Sequence, residues 1–232
     1  IDTPFERLPY RDALDRYGSD KPDVRFGLEL QDLTDAFRGS AFRAFAGAVE
    51  AGGVVRAVAV PARQAEPVTR KVLADLEELA KSHGAAGLAW LRRGEEGFSG
   101  PIARFLDEGE LAAVSRLAPA AGDLLLLAAG PWSTTCTALG AVRLRLGGLL
   151  GLRPGSDVLR FLWVVDFPLL EPTEEGGWTY MHHPFARPHD DDLHLLETDP
   201  GRVRAYAYDL VLNGSEVGGG SLRIHRQDVQ ER

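Results

Sequence analysis

The dipeptide Asn213-Gly214, set between the β-prone runs Tyr208–Leu212 and Ser215–His225, constrains this chain more than any other feature. A type I′ turn needs positive φ at both central residues and Asn-Gly is its strongest short signal, so the run is predicted to form an antiparallel hairpin. A two-residue turn also dictates register. With Leu212 opposite Ser215, Val211 falls opposite Glu216 and Asp209 opposite Gly218. The Asp209 and Glu216 carboxylates then share one face as diagonal neighbours, within reach of one cation. Magnesium takes one or two protein carboxylates and fills its other positions with water and phosphate oxygens. Gly218, Gly219 and Gly220 remove side chains where a ligand approaches the backbone closely, and Arg223 offers a planar fork matched to a carboxylate or phosphate. The run therefore reads as a site for a metal-bound polyphosphate and a carboxylate. The plain alternative is the wet face of a half-exposed sheet, where Asp and Glu are common. The glycine triplet weighs against it, because each glycine inside a strand costs about 0.5–1 kcal/mol relative to Ala.

The remainder of the chain is read in three pieces. Residues 1–30 give a short helix with Pro9 near its first turn and Gly18 as its stop, a turn-rich stretch to Asp23, and a strand around Val24 to Leu30. Residues 31–155 are rich in Ala, Gly and Leu and alternate strand with helix. Strands are expected at Val54–Val60, Gly87–Arg92 and Asp123–Ala129, and helices at Pro67–His83, Glu108–Leu117 and Pro131–Leu150. Strand texture returns in residues 156–232, at Phe161–Phe167, Trp178–Met181 and the hairpin. The fold class is thus α+β: an antiparallel-sheet domain built from residues 1–30 and 156–232, with the compact module 31–155 inserted into it.

At 232 residues and 44% apolar composition the chain is long enough for one large domain or two small ones. Its 26 basic and 34 acidic residues leave a net charge of −8, so any contact with nucleic acid must be local rather than carried by overall charge. The single cysteine, Cys136, rules out an internal disulfide and a cysteine-cluster zinc site, and its apolar helical surroundings mark it as a core thiol. No run is long enough to span a bilayer and the start has no signal-peptide shape, so a cytoplasmic protein is expected. The absence of an initiator Met, with Met181 the only methionine, reads as a segment of a longer chain. The acidic run Asp190-Asp191-Asp192, flanked by His189 and His194, is read as a solvated loop. In Met181-His182-His183-Pro184-Phe185, strand alternation would let only one imidazole face a given pocket, where it could donate to an anionic substrate.

Four blocks carry a family resemblance: Arg16–Asp23, Phe161–Pro168, Met181–Phe185 and Tyr208–His225. In that order, and from end to end, the chain resembles bacterial aspartyl-tRNA synthetases. The resemblance implies a class II antiparallel-sheet catalytic core, with residues 31–155 as the insertion domain of the bacterial aspartyl type. It also implies a ligase that makes aspartyl-adenylate from aspartate and ATP and passes the aspartyl group to tRNA(Asp). By the same resemblance His182 and Arg223 bind aspartate, with Arg223 pairing its side-chain carboxylate. Glu216 contacts ATP, and Asp209 and Glu216 hold the magnesium that accompanies it; no protein nucleophile or general base is implied. A homodimer is implied for the complete enzyme. Two other readings are kept: a ligase that also charges asparagine tRNA, and a non-catalytic tRNA-binding module related to amidotransferase subunits. The anticodon-binding barrel, the first two class II motifs and the ATP-binding arginine of the third have no counterpart in residues 1–232, so this segment alone is expected to be inactive. One geometric demand follows. Glu216 and Arg223, seven residues apart, point to opposite faces of a regular strand, yet the family roles place both in one site. A β-bulge within Gly218–Gly220 is predicted to correct the parity.

Overall fold

A computed structural model describes residues 3–173 and 175–231. The chain forms two compact units, one made of Ile1–Ala13, Asp20–Val24 and Ser156–Arg232, the other of Leu14–Ser19 and Arg25–Gly155. Both mix helix and strand.

The first unit is organised by a four-stranded sheet in the order Glu6–Pro9, Phe161–Val165, Ala207–Leu212, Ser215–Ser221. Its neighbours are antiparallel except the first pair, in which Arg7 lies opposite Trp163 in parallel. Glu6–Pro9 is not legible in the sequence, because four residues ending in proline show no alternation. It is ordered by its neighbour rather than by propensity. Leu8, Leu162, Val164 and Val211 lie on one buried face. Asp209 shares that face and is buried with them. The opposite face carries Arg7, Trp163 and the half-exposed Tyr208. A separate two-stranded hairpin pairs Leu170–Pro172 with Trp178–Tyr180.

The second unit is a five-stranded antiparallel sheet in the order Leu30–Asp32, Val54–Val60, Leu124–Gly130, Ala89–Arg93, Phe98–Ser99. Val55, Ala57, Leu91, Leu125 and Leu127 on one face pack with Phe45 and Val49 of the helix Arg43–Glu50 and with Ala113 and Val114 of Glu108–Leu117. The long helix Trp132–Leu149 packs on the central strands and on the helix Arg70–Ser82. The central strand Leu124–Gly130 is apolar on both faces and so reads as an uninterrupted hydrophobic run, whereas Val54–Val60 is broken by the buried Arg56, whose Nη2 donates to Asp15 Oδ1 at 2.6 Å. Caps set the helix ends. The Asp107 side chain accepts from Glu110 N and the Glu110 carboxylate from Asp107 N, closing a capping box, while Gly84, at φ +87°, follows the C-cap of Arg70–Ser82.

Three expectations are corrected. No strand runs through residues 24–29, because Leu28 adopts φ +62°, which a ladder cannot accommodate; the strand is confined to Leu30–Asp32. Residues 14–19 and 25–30, expected in the first piece, cluster with the second unit. The guanidinium of the fully buried Arg143 lies 5.0 Å from the Tyr17 ring centroid and 4.0 Å from that of Phe26. Its Nη2 also donates to the Phe26 carbonyl at 2.7 Å. Asp192 is not a solvated loop residue. The acidic run forms a 3₁₀ turn, Asp190–Leu195, in which Asp192 is buried and receives both Nε and Nη2 of Arg204 at 2.8 and 3.0 Å. Cys136 is buried in its helix, as expected.

Candidate active site

The hairpin forms around Asn213 at φ +53° and Gly214 at φ +88°. The turn is fastened from outside. Asn213 Oδ1 accepts from Arg160 N at 2.9 Å and its Nδ2 donates to Val158 O at 3.0 Å. Near the turn the register is the one a two-residue loop dictates, with Leu212 opposite Ser215 and Val211 opposite Glu216. It then slips by one. Leu210 lies opposite Gly218 and Asp209 opposite Gly219, so Val217 is an extra residue in its strand.

This bulge performs the predicted parity correction one residue earlier than expected. Glu216, Gly219 and Ser221 now share the face of Asp209 and Val211, and Arg223 follows Ser221 on it. The glycines cannot host the slip because two of them are needed in register. A Cβ on Gly219 would collide with Asp209 Oδ1, and one on Gly220 would lie 2.9 Å from Tyr208 Oη. A Cβ on Gly218 would meet nothing within 4 Å. Val217, half exposed, takes the bulge instead.

The sheet brings His182, Asp209, Glu216, Gly219, Gly220 and Arg223 to the walls of one cavity of ≈ 210 Å³, with His183, Ala207 and Ser221 completing it. Gly218 does not line it. Asp209 is nearly inaccessible, whereas Glu216 and Arg223 are exposed. His182 Nε2 lies 4.0 Å from Asp209 Oδ2, and its ring is nearly perpendicular to that of Phe167, with centroids 4.7 Å apart. Interaction with the Asp209 carboxylate raises the His182 pKa above the ordinary imidazole value; partial burial opposes the shift, and the charges of Glu216 and Asp20 add to it.

Both histidines of the pair border this cavity, against the expectation that alternation would separate them. Residues 181 and 182 form a bend rather than a strand, so the two-residue period does not apply. Pro184 was the available signal, since it limits the residue before it and favours a turn. Ser221 and Phe185 also join the site through Arg223. Arg223 Nη1 donates to Ser221 Oγ at 3.0 Å, and its guanidinium lies 4.4 Å from the Phe185 ring centroid. His189 is held apart from this cavity, stacked on Tyr206 with Nε2 3.1 Å from Asp166 Oδ1.

A larger cavity, ≈ 470 Å³, lies on the opposite sheet face, lined by residues that include Arg7, Trp163, Asp166 and Tyr208. It offers one cation and one carboxylate, whereas the smaller cavity combines two carboxylates, a guanidinium and bare backbone. Among the described residues no group of three or more His, Cys, Asp and Glu is arranged to hold a metal ion. Two adjacent carboxylates instead suit a magnesium ion that keeps its water and phosphate ligands.

Comparison with known proteins places this chain in a family. Residues 1–232 match the family described as tRNA synthetases class II (D, K and N). The aspartate–tRNA ligase of Geobacillus kaustophilus is 54% identical over 235 residues, covering the whole of this chain and 39% of that protein. The aspartate–tRNA(Asp/Asn) ligase of Moorella thermoacetica is 51% identical over 231 residues, covering 99% of this chain and 38% of that protein. The aspartate–tRNA ligase of Lysinibacillus sphaericus is 49% identical over 234 residues, again with 39% of its length covered. The chain thus spans about 39% of the length of the curated relatives it matches. With a full-length family match and relatives near half identity, the chain belongs to the class II tRNA synthetases of the aspartyl, lysyl and asparaginyl group.

Proposed function

We propose that this chain is part of an aspartate–tRNA ligase, and that the cavity beside the hairpin is where aspartate and ATP react. The observation that carries the reading is the convergence of His182, Asp209, Glu216 and Arg223 on one cavity, made possible by the bulge at Val217. Arg223 pairs the side-chain carboxylate of aspartate through its planar fork, and His182 lines the same pocket. Asp209 and Glu216 would hold magnesium brought with ATP, which neutralises phosphate charge, and Glu216 also contacts the nucleotide. The bare backbone of Gly219 lets the Asp209 carboxylate lie directly against it.

The chemistry asks for no protein nucleophile. A carboxylate oxygen of aspartate attacks the α-phosphorus, the bond to the bridging oxygen breaks, and pyrophosphate leaves. A hydroxyl of the terminal tRNA ribose then attacks the acyl carbon and displaces AMP. The protein's part is to position the reactants and balance their charge. On this reading the second unit is the inserted domain of the bacterial aspartyl type, and the complete enzyme is a cytoplasmic homodimer acting on tRNA(Asp). Among the described residues no helix is long and apolar enough to cross a membrane.

Aspartate-dependent ATP–pyrophosphate exchange in a full-length protein containing this chain tests the reading. Arg223→Leu is expected to raise the aspartate requirement by about one to two orders of magnitude, the worth of a charge-assisted pair. Arg223→Lys should recover little of this, because an ammonium cannot replace the fork. Near-normal aspartate kinetics in Arg223→Leu would reassign the pocket.

A further inference from the structure

Arg223 is exposed at the rim of its cavity, and an exposed arginine has many rotamers to choose from. Two contacts restrict it. Its Nη1 donates to Ser221 Oγ at 3.0 Å, and its guanidinium carbon lies 4.4 Å from the centroid of the Phe185 ring. Phe185 is 45% exposed, so the core does not explain a large aromatic there. Its ring is instead occupied by polar neighbours: Arg223, and the His183 imidazole at 4.9 Å with an interplanar angle of 15°.

The backbone holds ring and guanidinium together. Ile224 N donates to Phe185 O at 3.0 Å, Ala186 bridges Arg223, and Arg187 N donates to Leu222 O at 2.8 Å. Phe185 and Arg223 therefore stand side by side on two paired segments. A cation over an aromatic face gains electrostatic attraction, and together the ring and Ser221 restrict the orientations open to the guanidinium. One of the five arginine N–H donors is taken by Ser221; the plane of the others is what a carboxylate must meet for bidentate pairing.

We propose that Phe185 is the positioning residue for Arg223, and that by orienting the guanidinium fork it sets the preference of this site for an amino acid bearing a side-chain carboxylate over the corresponding amide. The inference rests on the reading of Arg223 as the aspartate partner. An amide presents only one acceptor oxygen to the fork, so its discrimination depends on both N–H groups being aimed at once.

The test uses Phe185→Leu, Phe185→Tyr and Arg223→Leu in a full-length ligase containing this chain, read by pyrophosphate exchange with aspartate and with asparagine. Phe185→Leu should raise the KM for aspartate by about tenfold and narrow the aspartate-to-asparagine preference by a similar factor, as loss of a cation–aromatic contact allows. The KM for ATP and the thermal midpoint should stay at the parent values. Phe185→Tyr, which keeps the ring, should restore aspartate kinetics. If Arg223→Leu loses aspartate use while Phe185→Leu keeps the parent KM and preference, positioning by Phe185 is wrong and the aspartate assignment stands. If Phe185→Leu raises the KM for ATP and aspartate together, the ring is merely structural. Parent-like aspartate kinetics in Arg223→Leu overturn both.

Discussion

Gly218 and Gly219 are adjacent, yet only one of them has to be glycine. Space beside Gly219 is filled by the Asp209 carboxylate, whereas Gly218 faces nothing within 4 Å. Gly219→Ala is therefore expected to displace Asp209 and raise the ATP requirement of the full-length protein by about tenfold, equivalent to about 1.4 kcal/mol. Gly218→Ala should leave the kinetics unchanged. A paired measurement of ATP dependence checks both, and equal effects would remove the close-approach account. Asp192 gives a pH-dependent residue-scale case. Its hydrogen bonds from Arg204 hold its carboxyl below the ordinary aspartate pKa against the opposing effect of burial. A depressed folded-state pKa contributes stability above the unfolded value of about 3.9, and that stability is lost as pH falls through the folded value. Asp192→Asn should thus cost about 1–2 kcal/mol at pH 7, allowing for the half-exposed Arg204. Denaturant unfolding at pH 7 and in a series below pH 4 should show the two proteins converging as the medium becomes acidic.

The element that decides the site is the bulged strand Ser215–Ser221. Because side chains alternate with period two, one extra residue reverses the facing of everything beyond it. Removing Val217 is expected to restore a regular ladder and turn Arg223 to the far face, while the Asn213-Gly214 turn and its ties to residues 158 and 160 persist. A full-length protein lacking Val217 should keep its circular dichroism spectrum and lose aspartate-dependent exchange. Retained exchange would show that Arg223 reaches the cavity without the bulge. A Val217→Ala substitution, which keeps the residue count, should retain activity, since this side chain is half exposed.

At the scale of the whole molecule, the second unit has its own two-faced sheet and its own core. Residues 14–155 expressed alone are expected to unfold in a single cooperative transition, as a self-contained domain of this size does. Thermal unfolding by circular dichroism checks this; a broad, non-cooperative melt would mean that its core is incomplete without the rest of the chain. Within this unit Gly18 and Gly140 let two backbone segments touch. A Cβ on either would run into the backbone of the other segment, and Gly18 also ends its helix at φ +66°. Helix-stop chemistry explains the glycine at 18; only the packing explains the one at 140.

Local rules in the sequence were enough for the Asn213-Gly214 hairpin, its register through Glu216, the strand Val54–Val60 and the helix Glu108–Leu117, because turn geometry and hydrophobic period act between near neighbours. They also placed Asp209 and Glu216 on one face and required a bulge before Arg223. Tertiary structure alone decided where the bulge sits, since its position depends on Asp209 and Tyr208 pressing against Gly219 and Gly220 from the partner strand. It likewise ordered Glu6–Pro9 through parallel pairing, assigned residues 14–19 and 25–30 to the second unit, and brought both His182 and His183 to the cavity. Each of these depends on contacts between residues far apart in the chain, and neither periodicity nor propensity carries that information.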